Sequence, residues 1–201
     1  MVPDLRFGYH GSLELPHAAV RADGYDPGRV EFVEYDVGDP FTPLRRGRVD
    51  VMVSKFDHRE PDLVYSEPIG LDPRAVVVAL DHPLAGRESV SVEEVAAFPC
   101  FDRPGFMPAE VWDQLVPPVT PGGRPITRGH PFTAVPALMR TVASGAAVHL
   151  TVQSIAHVAP PTVTLVPVRD LRPAVINLVW LPTAPQRVRR LVRAAEGLVA
   201  S

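Results

Sequence analysis

Several hydroxyl-bearing, basic and acidic residues stand directly after apolar runs, where a folded chain can offer them to a small molecule. Gly11 and Ser12 join the apolar LRFGYHG (5–11) to the helical SLELPHAAVRAD (12–23). At such a strand-to-helix turn the Ser12 hydroxyl and the first backbone N–H groups can receive a carboxylate. Ser12 also suits a plain helix cap, and the two roles are compatible. Gly11 allows a ligand close approach to the backbone. Ser54 and Lys55 end VDVMVSK (49–55), and Lys55 is the single lysine, so it is a candidate partner for an anion and equally a solvated surface residue. Val37, Gly38 and Asp39 form the loop after VEFVEYD (30–36), with Gly38 serving the turn and Val37 an apolar wall.

Further along, Asp102 and Arg103 follow the short run PCFD (99–102), either as ligand contacts or as a structural acid–base pair. His130 and Phe132 lead to Thr133, which is placed to cap the next helix. Thr151 ends AVHLTV. His10, next to Gly11, could form an acid/base pair with His130 or Asp102, the one catalytic option among these residues. No His/Cys/Asp spacing matches a metal site, and neither a dinucleotide fingerprint nor a phosphate-binding Gly-Lys-Ser/Thr loop occurs, so no cofactor is called for.

The elements that must hold these residues alternate in type. Strand-like, helical and strand-like segments repeat over residues 5–55, which predicts three parallel strands with helical crossovers. LVYSEPIG (63–70) and RAVVVAL (74–80) follow without a helix between them, so the chain should leave the first sheet there. A second series comprises helices at 91–98, 106–115 and 133–144 and strands at 99–102, 124–128 and 147–153. TVTLVPV (162–168), VINLVWL (175–181) and a final amphipathic helix complete the chain; its stripe is Val188, Leu191, Val192, Ala195, Leu198 and Val199. The reading is two α/β lobes, with 1–75 and 169–201 forming the first and 76–168 the second. Ligands in open α/β folds bind at the carboxyl ends of strands, which predicts a cleft between the lobes.

Composition narrows the class. The formal net charge is -3 and the pI about 6.1, without the basic excess of a chain that grips phosphates itself. The lone Cys100 excludes an internal disulfide and fits a reducing, cytoplasmic setting. The opening MVPDLRFGYH does not read as a signal peptide, because strand-like sequence begins at once.

The stretch DPRAVVVALDHPLAGRESVSVEEVA (72–96) resembles the crossover segment of LysR-type transcriptional regulators, with its apolar strand, His-Pro-Leu, small turn and Ser-opened helix. LRFGYHGS, PFTPLRRGRVDVMVSK and LMRTVASGAAVHLTVQS resemble further parts of that family's effector-binding domain, in the family's order. The resemblance implies a two-lobed fold like the type 2 periplasmic binding proteins, an effector in the cleft, and homodimers. It implies DNA contact only through a winged helix-turn-helix, which has no counterpart in these 201 residues. Ala147, Val152 and Val37 depart from the family pattern, so the polar chemistry of the pocket does not carry over from relatives. Two alternatives stay open: a stand-alone binding protein or acid/base enzyme using His10, Asp102 and His130, and a solute-binding protein of the same fold. The expected ligand is a small organic acid or an aromatic compound.

Overall fold

The computed structural model describes residues 3–198. It divides into two compact units, the first made of residues 1–71 and 175–201, the second of residues 72–174.

Unit 1 is built on one mixed sheet. Strands β1 (Leu5–Tyr9), β2 (Val30–Glu34) and β3 (Val51–Lys55) run parallel in the order β2-β1-β3. Helix α1 (Glu14–Ala22) lies in the connection from β1 to β2, and α2 (Thr42–Arg45) in that from β2 to β3. Strand β11 (Ala174–Trp180) pairs antiparallel with β3, and carries β4 (Val64–Tyr65) and β5 (Gly70–Asp72). The apolar run at 63–70 is thus split into two short strands, because Glu67 and Pro68 interrupt it.

The apolar spacing explains the layers. Leu5 and Phe7 of β1, Val51 to Val53 of β3 and Leu178 of β11 are buried, and α6 (Gln186–Glu196) contributes Val188, Leu191, Val192 and Ala195 to the same core. Leu198, at 37% exposure, lies outside that stripe, and Val199 is beyond the described residues. Gly8 sits where β1 and β3 pack tightly: a Cβ there would meet the Met52 Cβ at 2.7 Å. Gly47 closes α2 with φ +61°, and its N–H donates to the Leu44 carbonyl at 2.9 Å.

Unit 2 centres on β6 (Arg74–Ala79), which is buried along its whole length. It pairs antiparallel with β10 (Val163–Pro167) on one side and β9 (His149–Val152) on the other. A central strand has no solvent face, so RAVVVA reads as one apolar run rather than an alternation. Strands β7 (Cys100–Phe101) and β8 (Arg128–His130) form a separate parallel pair. Helices α3 (Val92–Val95), α4 (Ala109–Leu115) and α5 (Val135–Ala143) complete the unit. Strand β8 begins where the sequence reading ended its strand; Pro125 has no N–H to donate, and Val119 and Pro125 form only an isolated bridge. Short 3-10 turns at Pro27–Arg29 and Gln153–His157 were not foreseen.

Candidate functional site

In unit 1 the three parallel strands end on one side, and the residues that follow them form a rim. Register Gly8↔Met52 between β1 and β3, and Tyr9↔Glu34 between β1 and β2, bring the strand ends level. The β1–β2 ladder extends one step further, with the Tyr35 N–H donating to the Tyr9 carbonyl at 2.9 Å. The Tyr35 hydroxyl then donates to the Val53 carbonyl of β3 at 3.1 Å, so one buried side chain ties all three strand ends together. Burial raises its pKa further above the ordinary tyrosine value.

After β1 comes His10, then Gly11 at φ +82°, a left-handed conformation that glycine adopts without strain. The Ser12 hydroxyl oxygen accepts from the Glu14 N–H at 3.1 Å, covering one of the first amides of α1, while Leu13 occupies the cap position itself. After β2, the Asp36 carboxylate accepts from the Gly38 N–H at 2.8 Å, which folds the loop that presents half-buried Val37 and Gly38. At the end of β3, Ser54 is buried and its hydroxyl lies 3.5 Å from the His58 carbonyl. Lys55 is half-buried. Phe56 and Asp57 then take φ values of 60° and 47°, two successive non-glycine residues in the left-handed region. Such backbone persists only where its surroundings hold it, and it clusters at functional loops.

His10 is the most constrained titratable group of this rim. Its ring packs against Tyr35 with centroids 5.9 Å apart, and its Nδ1 lies 3.9 Å from a Glu34 carboxylate oxygen. That Nδ1 is buried and has no hydrogen-bond partner. Burial, and then the Lys55 charge, hold the imidazole pKa below its ordinary value, outweighing Glu34, the Tyr35 backbone and Asp36. The rim therefore offers a hydroxyl, an ammonium, a neutral imidazole and a helix amino end, a set suited to an organic anion.

In unit 2 the structure brings Asp102 and His130 together. Phe101 pairs with His130 across β7 and β8, and the Asp102 N–H donates to the His130 carbonyl at 2.7 Å. Arg103 donates to the Met107 carbonyl at 2.8 Å; among the described residues it forms no ion pair with Asp102. Thr133 is exposed and lies one residue before the cap position of α5, which is Ala134 with no side-chain cap. A proline at the start of α5, Pro136, removes a backbone donor that a cap would otherwise have to satisfy. Thr151 is buried in β9, and its carbonyl accepts from Arg74 at 3.0 Å.

Phe132 belongs to an aromatic cluster that the sequence did not disclose. Its ring lies 5.7 Å from Phe106, 5.8 Å from Trp112 and 6.2 Å from His149. His149 and Trp112 stack at 6.3 Å, and neither the His149 Nδ1 nor the Trp112 Nε1 has a hydrogen-bond partner. Burial, with the Arg74 charge second, pushes the His149 pKa down to about 3. AVHLTVQ reads in sequence only as a strand and carries no signal that the histidine ring is buried.

A family model described as the LysR substrate binding domain matches residues 28–198. A search of curated protein sequences finds no match. Among solved structures, CbnR, a LysR family transcriptional regulator, superposes with a TM-score of 0.72 at 15% identity, covering 96% of this chain and 69% of that one. The effector binding domain of QuiR in complex with shikimate gives 0.66 at 16% identity, covering 98% and 97%. The BenM effector binding domain with its effector benzoate gives 0.64 at 18%, covering 98% and 91%. The two α/β units thus have the fold of LysR effector-binding domains, and the family match, which takes in most of the chain from before β2 to the last described residue, shows that this chain belongs to the LysR substrate-binding-domain family.

Proposed function

We propose that this domain senses a small ring-bearing carboxylate and so regulates transcription through DNA-binding segments of the complete regulator, as a cytoplasmic homodimer. The observation that carries the ligand class is the rim of unit 1, where Ser12, Lys55 and His10 stand at the ends of parallel strands beside the amino end of α1. In this reading Gly11 and Gly38 admit the ligand to the backbone, Val37 packs on its apolar part and Ser54 supports Lys55. The carboxylates shikimate and benzoate, bound by the QuiR and BenM domains, are of the same chemical kind. Asp102, Arg103, His130, Phe132, Thr133 and Thr151 form a second set of proposed contacts, to be tested separately.

The test is a thermal-shift and calorimetric screen of cyclic and aromatic carboxylates against their uncharged amides. A binding carboxylate at about 100 times its Kd adds about 2.7 kcal/mol to stability and raises Tm accordingly. Ser12→Ala and Lys55→Met should each weaken binding about tenfold, the effect of losing one charge-assisted contact. Equal binding of acid and amide, or full affinity in both variants, would remove the unit 1 rim from the reading. Light scattering of the purified chain checks the dimer.

A further inference from the structure

We propose that an anionic effector enters the unit 1 rim together with a proton that settles on His10, so that the domain responds jointly to ligand and acidity. This rests on the reading of the rim as the effector site and specifies how it is regulated.

His10 immediately follows β1 and precedes the Gly11–Ser12 turn into α1. Glu34, at the end of β2, faces its Nδ1 at 3.9 Å. Tyr35 packs on the ring, and Asp36 follows it; from β3 comes the positive charge of Lys55. The Nδ1 has no hydrogen-bond partner although it is buried, and a buried polar atom left unpaired is a cost that the ligand-free protein carries.

Without ligand the balance favours neutral imidazole, because burial and Lys55 outweigh the two carboxylates. A carboxylate arriving beside Lys55 offsets that repulsion and adds an attraction of its own. Protonated His10 then has a donor for Glu34 on one side and a positive charge for the ligand. The sign follows from linkage: ligand raises the His10 pKa from its depressed free value, so affinity tightens as pH falls through the window between the free and bound pKa values. Above the bound value no proton is taken up. Below the free value the ring is already charged and affinity levels off.

The experiment is calorimetric titration of the 201-residue chain with sodium benzoate and sodium shikimate, in paired buffers of different ionisation enthalpy. On the acidic side of neutrality the expected result is uptake of a fraction of a proton per ligand, with affinity rising on acidification by less than about tenfold per pH unit. His10→Asn should abolish the uptake and flatten the pH profile while some binding persists. Glu34→Gln, at an exposed carboxylate whose loss does not threaten folding, should reduce the uptake. NMR titration of the His10 ring with and without ligand locates the proton. Binding without proton uptake, or uptake that survives His10→Asn, overturns this inference and leaves the carboxylate reading intact. No binding of either salt overturns both.

Discussion

Side chains that the local pattern hides decide much of this molecule's chemistry. His149 occupies a position in β9 that the sequence reads only as strand, and nothing in AVHLTVQ says that both its neighbours and its ring are buried. The structure places it against Trp112, Phe101 and Phe132, with the Arg74 charge also felt. The consequence is acid lability. The folded pKa lies near 3 and the unfolded one near 6.5, so below the unfolded value the denatured chain binds a proton that the native chain refuses. Stability therefore falls as pH drops through that window, by about 2 kcal/mol between pH 6.5 and pH 5 from this residue alone. His10, depressed in the same direction, adds to the trend. His149→Leu fills a similar volume and has no proton to refuse, so urea melts of the variant should lose most of this slope. A variant as acid-sensitive as the parent would show that His149 is not its source. By contrast Ser12, Lys55 and His10 were legible as rim residues, because strand ends are marked by the change from apolar run to Gly, Ser or charge.

Elements were read more securely than their boundaries. The three opening strands and both connecting helices stand where alternation and helical spacing put them, and so does the stripe of α6 through Ala195. Caps were less visible because in several helices the residue at the cap position makes no side-chain cap hydrogen bond: Leu13, Phe41, Pro108, Ala134 and Pro185 hold those positions in α1, α2, α4, α5 and α6. Helix α3 is the exception. The Ser91 hydroxyl oxygen accepts from the Glu93 N–H at 3.1 Å, and Glu94 accepts from the Ser91 N–H at 2.8 Å, a reciprocal capping box. Asp170, from the segment after β10, accepts from the Ser91 hydroxyl and from the Val92 N–H, the latter at 2.8 Å. The cap thus fastens α3 to a segment 78 residues distant in sequence. Ser91→Ala should cost about 1 kcal/mol, read as a lower urea midpoint at unchanged m-value. The companion Asp170→Asn should cost less in the Ser91→Ala background than alone, since the two share one network. Additive losses would mean that the two contacts act independently.

At the scale of the whole chain, strand pairing carries the division into units. Strand β11 shows why. Its run AVINLVW has the β-branched, apolar character of any central strand, and its antiparallel register with β3, Leu178↔Val53 among the pairs, places it in the first sheet. Asn177 secures that assignment, donating to the Ser66 carbonyl at 2.8 Å, while the Ser66 hydroxyl accepts from the Leu178 N–H at the same distance. Unit 1 is therefore assembled from two separated stretches, whereas unit 2 is one continuous segment, residues 72–174. That asymmetry has a testable consequence. Unit 2 contains its own central strand with partners on both edges, its own aromatic cluster, and Arg74 satisfied by carbonyls of Gln114, Leu115 and Thr151. A fragment of residues 72–174 should fold by itself, giving dispersed amide NMR spectra and a cooperative melt, as domains with their own core do. It should also keep the acid sensitivity of His149, because the rings against that side chain and the Arg74 charge lie within the fragment. Residues 1–71 expressed alone should not fold, since β11 and α6 supply the antiparallel partner of β3 and much of the unit 1 core. A collapsed but non-cooperative 72–174 fragment would place the stability of unit 2 outside its own sequence and contradict this division of labour.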